Sequence, residues 1–256
     1  MRPLRHGATG KDEELPGSYL ESDRQKEAAY MRDHEYRFRE IVSVLPVSSE
    51  SLRVLDIGTT PNTLRIKKLR PGFDVWTVDL TDLLRDRCES IGVQFRTCDL
   101  ANESLPFVDG YFDLVVFTEV LEHLFCPPSA VLREIRRVLR DNGSMILSVP
   151  NIATLYNRIK LLLGATPLPS PDGQMMRGWV HGYGHIHEYT AKEIASVLEG
   201  SGFKIVSRRL LQERISTVLN DDGTSGLHTA LRVVCGAAAF IIPSFRTTIL
   251  LHCNAA

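Results

Sequence analysis

Three short apolar runs in this chain each carry an aspartate at or near their carboxyl end: Ser51–Gly58 with Asp56, Phe73–Asp79 with Asp79 and Val93–Asp99 with Asp99. Short runs of this kind, rich in β-branched and aromatic side chains, read as buried strands. Acids at the carboxyl ends of successive strands suit an open parallel sheet, whose ligands bind in the crevice beyond those ends. Two further runs, Phe112–Phe117 and Ser144–Val149, extend the series. Between them Val131, Leu132, Ile135, Val138 and Leu139 form one stripe of a helix from Pro128 to Leu139, closed by Asp141-Asn142-Gly143. Strands alternating with helices at this spacing imply an α/β fold with right-handed crossovers.

The flanking regions read differently. Residues 1–18 are polar and glycine-containing and suit a flexible arm. Residues 19–45 carry Ala28, Met31, Tyr36, Phe38, Ile41, Val42 and Leu45 at helical spacing, ended by Pro46. Residues 151–190 are irregular and proline-rich, as a lid over a site would be. Thr190 with Glu193 forms a capping box for a helix to about Leu198, and Phe203–Ser207 is a late strand. Residues 227–252 are apolar, interrupted by Pro243. The expected organisation is one domain over 19–256. Its core takes in about 50–150 and 190–225, and its cap is drawn from 19–45, 151–190 and 226–256.

With 256 residues, 43% of them hydrophobic, the chain can bury a sizeable core. Thirty basic and 31 acidic residues balance to −1, which argues against a dedicated nucleic-acid binder. Five cysteines without a C-x-x-C pair suit free thiols in a reducing compartment. Neither an apolar leader at Met1–Gly7 nor an 18-residue apolar run is present, so the expectation is a cytoplasmic protein without a transmembrane segment.

Asp79 lies 23 residues past Asp56, where a carboxylate can accept both hydroxyls of a ribose. Gly58 lets the backbone approach a ligand closely. Asp99 and Leu100 would sit beside an adenine. Val54-Leu55-Asp56-Ile57-Gly58, Val78-Asp79-Leu80, Cys98-Asp99-Leu100, Phe112 through His123 and Leu139-Arg140-Asp141-Asn142-Gly143 occur in that order. Together they resemble class I S-adenosylmethionine-dependent methyltransferases of the type 11/12 kind. The resemblance implies a Rossmann-like fold, with a mostly parallel seven-stranded sheet, helices on both faces and a helical or loop cap. It places Asp56 and Gly58 at the methionine part of the cofactor, Asp79 at the ribose, and Asp99 and Leu100 at the adenine. Thr59, Leu80 and Thr118 complete the expected cofactor-binding set. The loop after Gly58 reads Thr59-Thr60-Pro61, where the family usually carries further glycines. A nicotinamide-dinucleotide domain would want G-x-G-x-x-G, and this loop has one glycine.

Glu119, Glu122 and His123 would share a helix face at i, i+3 and i+4. His181, His185 and His187 follow in His181-Gly182-Tyr183-Gly184-His185-Ile186-His187-Glu188-Tyr189-Thr190. Glu119-Val120-Leu121-Glu122-His123 with His185-Ile186-His187-Glu188-Tyr189-Thr190 is similar to the small-RNA 3′-terminal 2′-O-methyltransferases. That similarity implies a metal held by Glu119, Glu122, His123 and His185. Mixed oxygen and nitrogen ligands suit Mg²⁺ or Mn²⁺. A metal would lower the pKa of a substrate hydroxyl. Without one, His185, His187 or His123 is the candidate general base.

The tract from Ser148 to Arg158 resembles bacterial methyltransferases of sugar, polysaccharide and natural-product pathways. The expected activity is therefore O-methylation of a hydroxylated small molecule, such as a sugar with a vicinal diol. Nucleic acid is not the expected partner. Arg65, Lys67, Lys68 and Arg70, and Arg133, Arg136, Arg137 and Arg140, read as solvated helix faces. Trp179, Tyr183 and Tyr189 are candidates to stack on a sugar ring. The apolar stretch Val233–Ile242 is a candidate homodimer face. The competing reading, motivated by Thr59-Thr60-Pro61, is a noncatalytic methyltransferase-like binding or scaffold subunit.

Overall fold

The computed structural model describes residues 32–46, 51–168, 184–212 and 226–256, with backbone alone for 226–229. In chain order the elements are α1 (Glu35–Ser43), β1 (Arg53–Ile57), α2 (Pro61–Leu69), β2 (Asp74–Asp79), α3 (Arg85–Glu89), β3 (Gln94–Thr97) and β4 (Phe112–Thr118). They continue with α4 (Pro128–Val138), β5 (Leu139–Pro150), α5 (Leu155–Leu162), α6 (Ala191–Glu199), β6 (Phe203–Leu211), α7 (Gly226–Ile241) and β7 (Thr248–Ala255).

The seven strands form one sheet in the order β3-β2-β1-β4-β5-β7-β6. All neighbours are parallel except β7, which is antiparallel to β5 and β6. The strand order reverses between β1 and β4, so the carboxyl ends of β1, β2 and β4 flank the crevice where such sheets bind ligands. This is the expected mostly parallel, Rossmann-like arrangement.

Period-two alternation builds two core layers. Leu55, Ile57, Val115 and Phe117 face one side with Val131, Leu132 and Ile135 of α4 and Ile194 and Leu198 of α6. Val54, Leu114 and Val116 face the other with Phe38 and Ile41 of α1 and Ile66 of α2. Thr190 and Glu193 form the expected capping box of α6.

Several boundaries differ from the sequence reading. Helix α4 stops at Val138, and β5 starts at Leu139 instead of Ser144. Asn142 takes a left-handed φ of 62° there, beside an irregular register between Phe112 and Leu114 of β4. The cap assigned to 226–256 is corrected in its last part: Thr248–Ala255 is an interior strand of the sheet. It is buried on both faces, so its apolar residues do not alternate and periodicity could not separate it from a helix. The arm at 1–18, residues 19–31 of the amphipathic segment, Trp179, His181 and Tyr183 lie outside the described residues.

Candidate active site

The first loop is tightly specified. Gly58 follows β1 at φ 83°, a conformation that disfavours any side chain. A Cβ there would lie 2.5 Å from Cγ2 of Val120. Its N–H donates to the Val78 carbonyl at 2.9 Å, which stitches the loop to β2. The Thr59 N–H donates to Asp79 Oδ2 at 2.8 Å, and the Thr59 hydroxyl meets that of Thr77 at 2.9 Å. Thr60 caps α2 in a capping box with Thr63, and Pro61 occupies the first turn, where a missing N–H costs nothing. Thr59-Thr60-Pro61 is thus an ordered helix entry.

Asp56 is 2% exposed and accepts from the Thr63 hydroxyl, so its carboxylate points under α2. Burial pushes its carboxyl up to about 7, against the Thr63 bond and reinforced by Asp79. Asp79 lies at the end of β2, with Oδ1 accepting from the Thr81 N–H at 3.3 Å. Leu80 is 67% exposed and can cover a flat ring. Asp99 accepts from the Ala101 N–H and the Asn102 side chain, while Leu100 packs against the core. Thr118 ends β4, buried, opposite Ser148. Asn62, which sequence reasoning missed, is buried in the first turn of α2 with both side-chain amide atoms unpartnered. A polar ligand at this loop would answer that demand. Exposed Leu80, the Asp79 carboxylate and the side-chain-free approach at Gly58 suit a nucleoside cofactor such as S-adenosylmethionine.

The second cluster departs from its expected form. Glu119, Glu122 and His123 do not share an α-helix face. Glu119 has φ 56°, and only Leu121–His123 make a short 3₁₀ turn. A non-glycine residue in that region is strained and commonly marks a functional site. Glu119 Oε2 accepts from Arg37 Nη1 at 2.9 Å, and Oε1 from the Ser148 hydroxyl at 2.7 Å. Glu119 therefore belongs to a part-buried ion pair with α1, and its carboxylate is not gathered with the other three expected ligands.

Glu122, His123 and His185 do come together, with ligand atoms all within 4.8 Å. The Glu122 side chain is fully buried with both oxygens unpartnered, and burial together with Glu119 holds its carboxyl well above the usual range. His123 Nδ1 lies 3.2 Å from the Gly184 carbonyl. A carbonyl only accepts, so Nδ1 carries the hydrogen and the lone pair sits on Nε2, 3.8 Å from Glu122 Oε1. Burial keeps His123 neutral further into the acid range. His185 Nδ1 lies 2.9 Å from Glu188 Oε1, which places its lone pair on Nε2 in the same way. The Ile186 and His187 N–H groups donate to the Glu122 carbonyl, holding the two segments together. His187 is tied instead to Glu193 at 2.8 Å and packs edge-on against Tyr189, outside the cluster. Ligand atoms about 2.1 Å from one ion lie at most about 4.2 Å apart, so a spread of up to 4.8 Å would have to contract for these three to share an ion. Two imidazoles and one carboxylate suit Mn²⁺ better than Mg²⁺, which prefers oxygen.

A methyltransferase domain family profile matches residues 27–208. Malonyl-[acyl-carrier protein] O-methyltransferase of Geobacter sulfurreducens is 30% identical over 162 residues, 61% of this chain and 57% of the relative. An uncharacterized Mycobacterium tuberculosis protein is 30% identical over 107 residues, 42% of this chain and 33% of the relative. The chain thus spans between a third and a little over half of these curated relatives. Among solved structures, an S-adenosylmethionine-dependent methyltransferase from Mesorhizobium loti aligns with TM-score 0.57 at 15% identity, covering 84% of this chain and 96% of that one. A chain from the complex containing the Haloferax volcanii Trm112 methyltransferase activator aligns with TM-score 0.61 at 15% identity, over 92% and 96%. At such identity these show a shared fold. The profile match over most of the chain goes further, and it agrees with the strand order and the acids at the strand ends: the chain belongs to the methyltransferase domain family, in the class I S-adenosylmethionine-dependent group.

Proposed function

We propose that this chain is an S-adenosylmethionine-dependent O-methyltransferase acting on a hydroxylated small molecule with neighbouring hydroxyls, such as a sugar or natural product. We also propose that Glu122, His123 and His185 hold a divalent cation, with Mn²⁺ a better match than Mg²⁺. The observation that carries this reading is the Glu122 carboxylate. It is buried and unpartnered, beside two imidazoles whose Nδ1 hydrogens are already committed. The Geobacter relative, an O-methyltransferase by name, is consistent with an oxygen acceptor.

S-adenosylmethionine, when bound, supplies a methyl group on a sulfonium for in-line transfer to a nucleophile. Asp79 would hold the ribose, Asp99 and Leu100 the adenine with Leu80 covering it, and Asp56 and the Gly58 loop would face the methionine part. Catalysis by such a site is largely alignment. A cation at the cluster would lower the pKa of a substrate hydroxyl and orient its neighbour. Without a cation, neutral His123 could instead take a proton at Nε2. The ordering of Thr59-Thr60-Pro61 favours catalysis over the noncatalytic scaffold reading.

The test is a calorimetric titration of S-adenosylhomocysteine, with Mn²⁺ and again with EDTA, followed by turnover on diol acceptors. Micromolar binding in both buffers, with turnover only in Mn²⁺ and lost in Glu122→Gln, is expected. Full turnover in EDTA would remove the cation from the proposal. No binding in either buffer would establish the noncatalytic reading.

A further inference from the structure

Asn62 belongs to the loop in which related methyltransferases usually carry further glycines, yet it brings a carboxamide there and is 1% exposed. Its backbone N–H donates to the Thr60 hydroxyl at 3.1 Å, as part of the α2 cap. Its side-chain Oδ1 and Nδ2 have no hydrogen-bond partner among the described residues. Buried carboxamides are normally hydrogen-bonded, so an unpaired one calls for a ligand or an ordered water. The loop's other side chains are already engaged. The Thr63 hydroxyl donates to Asp56 and accepts from the Thr60 N–H, while the Thr59 N–H and hydroxyl meet Asp79 and Thr77.

The helix fixes where Asn62 stands. Ile66, one turn on, shares a core layer with Phe38 and Ile41 of α1. Side chains of a helix lean toward its N-terminus. The N-terminus of α2 follows the carboxyl end of β1 through the Gly58 loop, and Gly58 abuts Val120, just past β4. Asn62 therefore stands at the crevice end of the α1–α2 layer, beside the point where the strand order reverses between β1 and β4.

A carboxamide offers an acceptor and a donor side by side. An α-amino acid answers both, because its carboxylate accepts from Nδ2 and its ammonium donates to Oδ1. A nucleoside asks for other partners: its ribose hydroxyls call for an acceptor such as Asp79, and its adenine for Asp99 and Leu100. We infer that Asn62 binds the amino-acid end of S-adenosylmethionine and makes the site select a cofactor that carries it. The assignment rests on the cofactor reading above and deepens it. In the empty protein the unpaired carboxamide is destabilising, and binding removes that penalty.

The test is calorimetric titration of the full chain, as the parent, Asn62→Ala and Asn62→Val, with two ligands. One is S-adenosylhomocysteine; the other is 5′-methylthioadenosine, which keeps the thioether nucleoside and lacks the amino-acid end. The parent should prefer S-adenosylhomocysteine. Both variants should lose about tenfold or more of that affinity, and change by less than about twofold toward methylthioadenosine. Without ligand, at least one of the two should unfold at no lower temperature than the parent, since both remove the unpaired amide and valine refills its space. Unchanged S-adenosylhomocysteine affinity in a folded variant, or an equal loss for both ligands, would overturn the assignment and leave the cofactor reading standing. A parent that binds neither ligand would overturn both.

Discussion

Arg37 of α1 donates to Glu119 at 2.9 Å, across 82 residues of sequence, with 6% of the arginine side chain exposed. The contact ties α1 to the strained residue that follows β4, near the buried Glu122. Removing one member of an ion pair that is largely shielded from water leaves the other uncompensated in a poor solvent for charge.

Arg37→Ala should therefore destabilise the fold by roughly 3 kcal/mol in urea unfolding. Arg37→Ala/Glu119→Gln should recover part of that loss, because the orphaned carboxylate is gone. A double variant no more stable than the single one would show that the pair adds little beyond packing.

Gly58→Ala meets two obstacles, a positive φ and the Val120 methyl 2.5 Å from the new Cβ. The expected loss is about 2 kcal/mol or more in thermal or chemical unfolding, with weaker S-adenosylhomocysteine binding. Trimming the obstacle in Gly58→Ala/Val120→Ala should restore the steric share and leave the conformational share.

The Asp79 carboxylate both holds the Thr59 N–H and faces the proposed ribose position. Asp79→Ala should abolish measurable S-adenosylhomocysteine binding in calorimetry. Asp79→Asn keeps an acceptor and should retain the loop, with affinity reduced about tenfold or more by loss of the charged acceptor. Retained affinity in Asp79→Ala would move the ribose elsewhere.

Asp56 gives a pH signature. Burial raises its folded carboxyl from 3.8 to about 7. Between those values the unfolded chain releases the proton while the folded chain keeps it. Rising pH therefore costs stability across that window and no more above it. Asp56→Asn lacks this penalty and can still accept from Thr63. Its stability relative to the parent should rise from about pH 4 to 7, by about 3 to 4 kcal/mol, and then level off. A difference that is flat with pH would show that Asp56 titrates normally in the fold.

Local chemistry was legible in the sequence. Strand ends at Asp56 and Asp79, the stripe of α4 and the Thr190–Glu193 capping box depend on residues a few positions apart, and the pattern carries them. The order of the strand-end acids and the profile of the β1–β5 region identified the fold class. Tertiary structure decided what depends on distant partners. It set β7 between β5 and β6, because a strand buried on both faces has no periodicity to read. It turned Glu119 toward Arg37 and away from Glu122, since a left-handed φ at Glu119 breaks the helix that even spacing implied. It drew His185 to His123 through the Gly184 carbonyl, 61 residues apart, and sent neighbouring His187 to Glu193. Spacing along the chain names the groups able to do chemistry. Only packing decides which of them share a site, because burial and hydrogen-bond supply are properties of the assembled fold.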